Sequence, residues 1–189
     1  MTDQLTALSQ PYPWPWHGSF APRLTALLVL RDGDVAPPDQ PTAALLSSLV
    51  QLGARAGLLV GELPGRPQDS AWPPFTADFR ISRPHLGGFT GTDLDAVLRK
   101  RRISDLIFAG FPFELGADCT MRQANDLGYE CLALSDCCTG LAPDTLAGAL
   151  ASIQMSGGIF GAVAESASIL ELFAKANDAA EIAAQGARP

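Results

Sequence analysis

At 189 residues and 47% hydrophobic content, the chain can bury one good core and is most economically one main domain. Its net charge of −7 and pI near 4.7 argue against a nucleic-acid surface, which needs clustered Lys and Arg. No segment approaches the roughly 20 apolar residues that span a bilayer, and the N-terminus lacks the basic start and apolar core of a secretory signal. We therefore expect a cytoplasmic protein.

Residues 1–22 alternate prolines with the aromatic side chains of Tyr12, Trp14 and Trp16. The prolines prevent a regular helix, and the large aromatic rings are costly to leave in water. We expect an arm that lies across the body of the protein or across a partner subunit. The alternative is a proline-rich ligand for another domain, although the PxxP-plus-basic pattern is missing.

The next elements predict the first half of a buried sheet. Residues 24–30 are a continuous apolar run, which predicts a central strand, and Arg31, Asp32 and Asp34 follow it. A helix is predicted from a cap at Thr42 to about residue 52, with Gly53 as its stop, and a second strand at 57–60. Residues 61–76 are rich in proline and predict a long irregular loop.

That stretch offers two acids, Glu62 and Asp69, but an Asp/His metal site would also need a histidine. The chain has no histidine between His17 and His85, so we predict no metal and no cofactor. His85 is expected to be a loop residue packed beside Pro84. The helix that follows is predicted from a cap at residue 92 to residue 100.

Residues 104–140 predict one βαβ unit: a strand at 106–109, a tight turn, a helix at about 115–127, a stop at Gly128 and a strand at 130–134. In sheets of this kind the chemistry lies at the carboxyl ends of the strands, here residues 110–116. The peptide bond between Phe111 and Pro112 in that turn is a candidate cis bond, with an ordinary trans turn as the alternative.

The remaining elements complete an α/β fold. A helix is predicted at 144–156, a strand at 158–163 and a last helix at 166–174, followed by an Ala-rich tail that is a frayed helix or an oligomer contact. We predict a three-layer αβα arrangement around a mostly parallel, Rossmann-like sheet of about five to six strands. The expected organisation is an arm at 1–22, a domain at 23–175 and a tail at 176–189.

The central stretch resembles the isochorismatase-like cysteine hydrolases. Gly110, Arg122 and Ala124 keep the spacing of that family, and Gly116 stands in the place of its cysteine. Residues 79–92 resemble a second family pattern, with Arg83 in the place of its lysine. The matching positions there are Pro84, Phe89, Gly91 and Thr92. The N-terminal sequence is similar to that of family members that act on ureido compounds such as biuret or ureidoacrylate.

The resemblance implies hydrolysis by a thiolate, a carboxylate that takes the thiol proton and a lysine that orients the pair. The three places hold Arg31, Arg83 and Gly116, so neither attack nor base catalysis is available from them. Cys119, three residues along the same helix, is either a substitute nucleophile or a small buried core residue. Asp32 and Asp34 are fallback acids, but strand alternation would turn Asp32 to the opposite face unless a bulge intervenes.

The spacing of the four cysteines does not match a metal-binding CxxC pattern, so we expect them to be reduced thiols. They are Cys119, Cys131, Cys137 and Cys138. The predicted pocket consists of Phe111, Pro112, Phe113, Glu114 and His85. Two arginines about 6 Å apart in one cleft would repel each other by roughly 3 kcal/mol at an effective dielectric of 20. The candidates that would offset this repulsion are Glu114, Asp32, Asp34, Glu62 or a bound anion, and we predict that Glu114 or Asp34 pairs with an arginine.

These observations favour a non-catalytic member of the family. It would act as a structural or partner subunit, in a homo-oligomer or with an active hydrolase homologue, or it would bind a small carboxylate or other anion between Arg31 and Arg83. The alternative is a cysteine-dependent hydrolase of amide or ureido C–N bonds that uses Cys119. No nucleic-acid or membrane partner is expected.

Overall fold

The computed structural model describes residues 21–32, 38–65 and 75–186. Three predictions concern residues outside these ranges: the arm up to residue 20, the fallback acid Asp34 and the centre of the proline-rich loop with Asp69. Within the described ranges, no helix has the length and apolar character needed to cross a membrane.

In the part of the chain that the structure describes, six parallel strands form a single sheet in the order β3-β2-β1-β4-β5-β6. The central strands β1 and β4 are almost entirely buried because helices cover both faces of the sheet, which explains their continuous apolar sequence. The strands are β1 (Thr25–Arg31), β2 (Leu59–Pro64), β3 (Phe79–Arg80), β4 (Asp105–Phe111), β5 (Glu130–Leu134) and β6 (Ala162–Ala164). The predicted parallel α/β sheet is confirmed.

Within the described residues, four helices lie between strands along the chain and a fifth follows β6. They are α1 (Gln40–Ala56), α2 (Leu94–Lys100), α3 (Asp118–Asp126), α4 (Pro143–Met155) and α5 (Ser166–Gly186). Short 3₁₀ turns occupy Pro22–Leu24 and Ser135–Cys137, and a five-residue π-helical turn, Phe113–Ala117, joins β4 to α3. The strand β3 had no counterpart in the sequence prediction, since two residues carry no periodic pattern.

The predicted ends of α1 are wrong, and α5 extends past its predicted end at residue 174 into the tail, for which a frayed helix was one of two alternatives. Asp39, not Thr42, caps α1, because its Oδ1 accepts a hydrogen bond from the backbone N–H of Thr42 at 3.0 Å. Helix α1 continues through Gly53 to Ala56, and its C-cap residue Gly57 has a left-handed φ of 93°. A Cβ at Gly53 would lie 3.2 Å from the ring of Phe173, so this glycine allows α1 and α5 to pack closely. Helix α5 continues to residue 186 because its Ala-rich sequence contains no earlier helix breaker.

The two faces of the sheet have separate apolar cores. Helices α1 and α5 cover one face, where Leu27 and Val29 of β1 are buried. Helices α2, α3 and α4 cover the other face, where Leu28 and Leu30 are buried together with Phe113. Alternation along β1 therefore decides which face each side chain at its carboxyl end reaches.

Candidate functional site

Arg31 is the last residue of β1. Its side chain points to the same face of the sheet as the odd-numbered residues Leu27 and Val29, the face that α1 and α5 cover. Its Nε donates to Oε1 of Glu62 at 2.7 Å, and its Nη2 lies 2.6 Å from the same oxygen. The Oε2 of Glu62 lies 3.6 Å from Nε of Arg80. The side chains of Arg31 and Glu62 are only 10% and 12% exposed, so this ion pair is largely removed from water.

Asp32 directly follows β1, and its side chain points to the opposite face of the sheet, with Leu28 and Leu30, where α3 packs. Its Oδ1 accepts a hydrogen bond from Nη2 of Arg83 at 2.7 Å, and its Oδ2 accepts one from the backbone N–H of Gly116 at 3.1 Å. The expectation that Asp32 would point away from this site is therefore wrong. Asp32, rather than Arg31, meets positions 83 and 116, because it shares the face of Leu28 and Leu30.

The Arg83 side chain is completely buried at the centre of this site. Its Nε donates to the carbonyl of Leu63 at 3.0 Å, and its Nη2 donates to the carbonyl of Arg31 at 3.2 Å in addition to Asp32. Its Nη1 donates to the carbonyl of Leu86. The guanidinium fork is thus fixed by backbone oxygens from two strand ends and its own loop, an arrangement that a lysine cannot reproduce.

Gly116 lies in the π-helical turn directly against this guanidinium. A Cβ at position 116 would lie 2.5 Å from Nη1, 2.6 Å from Nη2 and 2.7 Å from Cζ of Arg83. These distances are well inside van der Waals contact. The arginine side chain therefore fills the volume that any side chain at position 116 would need.

The predicted pocket residues of the turn divide between the two faces of the sheet. The Phe111–Pro112 peptide bond is cis. Phe111 is buried in the core beneath α1 and α5, whereas Phe113 is buried in the opposite core. His85 is exposed on its loop, where its ring carbon Cδ2 would lie 3.8 Å from a Cβ at Gly91.

Glu114 points toward the start of α4. Its Oε1 accepts hydrogen bonds from the backbone N–H of Leu141 at 3.1 Å and from the hydroxyl of Thr145. Among the ion pairs of the described residues, the two site arginines use Glu62 and Asp32. We predicted that Glu114 or Asp34 pairs with an arginine. The Glu114 alternative is wrong among the described residues, because this carboxylate instead joins the turn to α4, and Asp34 lies outside them.

Two polar residues of α3 that the sequence analysis missed connect the Arg83 loop to the turn. The Thr120 hydroxyl accepts a hydrogen bond from the N–H of Gly88 at 2.8 Å and donates to the carbonyl of Gly116 at 2.6 Å. The Oε1 of Gln123 accepts from the N–H of Phe89 at 3.2 Å. The adjacent glycines at 87 and 88 were the only sequence signal of this close approach, since a Cβ at either position would collide with α3 side chains.

Cys119 is partly exposed near the start of α3. Burial and the neighbouring Asp118 carboxylate raise the pKa of its thiol, and this effect outweighs the opposite influence of Arg122 and Arg83. A raised pKa lowers the thiolate fraction at neutral pH, so the thiol is a poor nucleophile there.

The remaining cysteines, Cys131, Cys137 and Cys138, are buried, and all four cysteines are free thiols. Burial raises the pKa of Cys138 to about 12. It also raises the pKa of Cys131 and Cys137. None of these three thiols is activated for attack.

Comparisons with known proteins agree with this architecture. A family model described as the isochorismatase domain matches residues 38–168. The chain is 36% identical over 59 residues to the isochorismatase family protein YwoC of Bacillus subtilis, a match that covers 31% of each chain. It is 36% identical over 70 residues to the ureidoacrylate amidohydrolase RutB of Acinetobacter baylyi, covering 37% of this chain and 29% of that protein. The matched stretches therefore span only about a third of these curated relatives.

Solved structures extend the similarity to nearly the whole chain. The crystal structure of a cysteine hydrolase from Pseudomonas syringae pv. phaseolicola superimposes with a TM-score of 0.73 and 21% identity. The superposition covers 89% of this chain and 100% of that chain. At this level of identity the likeness shows the fold.

Proposed function

The chain belongs to the isochorismatase family, and from that premise we propose that it is a non-catalytic member, retained as a structural or partner subunit. The proposal concerns the three positions that the family resemblance aligns with a reactive trio. The resemblance aligns them with Arg31, Arg83 and Gly116, but Asp32 rather than Arg31 contacts the other two, so one carboxylate lies beside an arginine and a glycine. The chain keeps the scaffold of a hydrolase site without its nucleophile.

The observation that carries this proposal is the contact between Gly116 and Arg83. A nucleophilic side chain at position 116 would begin with a Cβ 2.5 to 2.7 Å from three guanidinium atoms. A substrate atom would also need to approach the same place, within about 3 Å of the nucleophile. The guanidinium occupies that space and is held there by Asp32 and three backbone carbonyls.

The same contacts argue against the anion-binding role. Arg83 is fully buried and paired with Asp32, and Arg31 is paired with Glu62 on the other face of the sheet. A carboxylate ligand would have to displace a buried carboxylate that already forms a charge-assisted hydrogen bond. A partner-subunit role needs no opening of this site, so the contacts favour it over anion binding.

A second candidate is a hydrolase of amide or ureido C–N bonds that uses Cys119. One observation favours it: the thiol is partly exposed near Asp32 and Arg83, and both charges influence its pKa. Against it, burial and Asp118 raise that pKa, so a minor fraction of the thiol is ionised at neutral pH.

The test is turnover of a panel of ureido, amide and isochorismate-like substrates by the purified full chain and by a Cys119→Ala variant. We expect no turnover above the uncatalysed rate for either protein. Turnover by the natural chain that disappears in Cys119→Ala would overturn the non-catalytic proposal and establish the second candidate. Turnover that survives the substitution would overturn both, since it would require a different nucleophile.

A further inference from the structure

A groove lies beside the second half of α1, on the face of the sheet opposite the Arg83 site. Its volume is about 390 Å³. This falls within the range of roughly 300–1,000 Å³ that is typical of small-molecule sites. Val50, which is 4% exposed, lines the groove together with Ala54 and Phe75, and the Phe75 ring packs on the core beneath α1. The groove therefore has an apolar base that can hold an apolar side chain.

Polar side chains of α1 lie along one side of this groove. Arg55 is exposed in the last turn of the helix, and Gln51 is exposed one turn earlier. Residues four apart lie on the same side of a helix, so both side chains can reach the same ligand. Among the described residues, the Arg55 guanidinium has no hydrogen bond and no ion pair. It is therefore available to an anionic group.

A fixed carboxylate lies on the other side of the groove. The backbone N–H of Asp78 donates to the carbonyl of Val60 at 2.8 Å, and its Oδ2 accepts from the backbone N–H of Val60 at 2.7 Å. These two bonds hold the carboxylate against the start of β2. Its second oxygen, Oδ1, bonds to no other described residue, so it can accept a hydrogen bond from a cation.

The two charges are opposite, but they do not neutralise each other. Arg55 and Asp78 line the same groove, and their charged atoms lie more than 4.0 Å apart. A ligand that carried only a carboxylate would be repelled by Asp78, and one that carried only an amine would be repelled by Arg55. A small molecule with both charges can pair with each side of the groove.

We propose that this groove binds a free amino acid with an apolar or aromatic side chain. Its carboxylate pairs with Arg55, its ammonium pairs with Asp78, and its side chain packs on Val50, Ala54 and Phe75. The inference goes beyond the proposed function, because the groove and the Arg83 site lie on opposite faces of the sheet and share no residue. Either can therefore fail while the other stands.

The experiment is isothermal titration calorimetry of the full chain with L-phenylalanine. Two analogues, 3-phenylpropionate and 2-phenylethylamine, lack the ammonium and the carboxylate, respectively. We expect each analogue to bind at least tenfold more weakly than the amino acid, because each leaves one charge of the groove unpaired and repelled.

Two variants assign the charges. Arg55→Gln should weaken L-phenylalanine at least tenfold without weakening 2-phenylethylamine. Asp78→Asn should weaken L-phenylalanine at least tenfold without weakening 3-phenylpropionate. Asparagine retains an oxygen that accepts from the Val60 N–H, so far-UV circular dichroism should show an unchanged fold. Arg55 is exposed and forms no bond to another described residue, so its substitution tests the groove independently of Asp78.

The matched control is Arg101→Gln. Arg101 is also an exposed arginine, but it follows α2, which covers the other face of the sheet. This variant should bind L-phenylalanine as the natural chain does. Absence of binding at millimolar L-phenylalanine would overturn the proposal. So would analogues that bind as tightly as the amino acid, or an affinity that Arg55→Gln leaves unchanged or that Arg101→Gln lowers equally.

Discussion

The substitution Gly116→Ala tests whether Arg83 closes the site. The new methyl group would lie 2.5 to 2.7 Å from Nη1, Nη2 and Cζ of Arg83, where ordinary contacts exceed 3.4 Å. The guanidinium must therefore move by about 1 Å. That displacement breaks or weakens its 2.7 Å hydrogen bond to Asp32, in a place where the Arg83 side chain is fully buried and that of Asp32 is only 14% exposed.

The expected magnitude follows from these contacts. Forcing an extra methyl group into a packed site costs about 1–3 kcal/mol, and a hydrogen bond between charged groups contributes about 1.5–3 kcal/mol. Alanine recovers up to about 1 kcal/mol of helix propensity. We expect Gly116→Ala to lower the free energy of unfolding by about 2–4 kcal/mol, a large share of the 5–15 kcal/mol typical of a domain.

The assay is urea denaturation followed by far-UV circular dichroism, arranged as a double-mutant cycle with Arg83→Lys. A lysine lacks the planar fork that collides with position 116, so Gly116→Ala should cost less than about 1 kcal/mol in that background. Arg31→Lys is the matched control. The Arg31 guanidinium pairs with Glu62 on the opposite face of the sheet. The change in unfolding free energy caused by Arg31→Lys should therefore add to that of Gly116→Ala within about 0.5 kcal/mol.

Two outcomes would refute this reasoning. One is a cost of Gly116→Ala below about 0.5 kcal/mol in the natural background, because the collision would then be relieved without loss of the ion pair. The other is equal coupling of Gly116→Ala to Arg31→Lys and to Arg83→Lys, because the effect would then not belong to the guanidinium at position 83.

Three further predictions concern the same region. Asp32→Ala leaves the buried Arg83 guanidinium without its carboxylate, and we expect urea denaturation to show a loss of about 3–5 kcal/mol; a loss under 1 kcal/mol would contradict the ion pair. Thr120→Val removes the acceptor for the N–H of Gly88 and should cost about 1–3 kcal/mol by the same assay, whereas an unchanged midpoint would count against this connection. Because the pKa of Cys119 is raised, mass spectrometry should show slow alkylation by iodoacetamide at neutral pH, with a rate that climbs as rising pH ionises the thiol. Labelling at neutral pH as fast as in the urea-unfolded chain would contradict the raised pKa.

Much of the fold was determined by the sequence itself. The continuous apolar runs of β1, β4 and β5 predicted a sheet buried on both faces, and Glu130–Leu134 was predicted with the bounds that it has in the structure. The glycine at 116 and the arginine at 83 were identified as replacements in a family pattern. These features are local, because they can be recognised from residue type and spacing without any tertiary contact.

The pairing of charges at the site was decided by the tertiary structure. The sequence left Arg31 and Asp32 as competing candidates for one place, since a single residue of register turns a side chain from one face of a sheet to the other. The packing of α3 against the face of Leu28 and Leu30 selected Asp32, and the Glu62 carboxylate on the next strand took Arg31. Gly116 and Arg83 are distant in the chain and become neighbours only when the sheet assembles. No local sequence pattern could therefore show that the Arg83 guanidinium fills the volume of the side chain that Gly116 lacks.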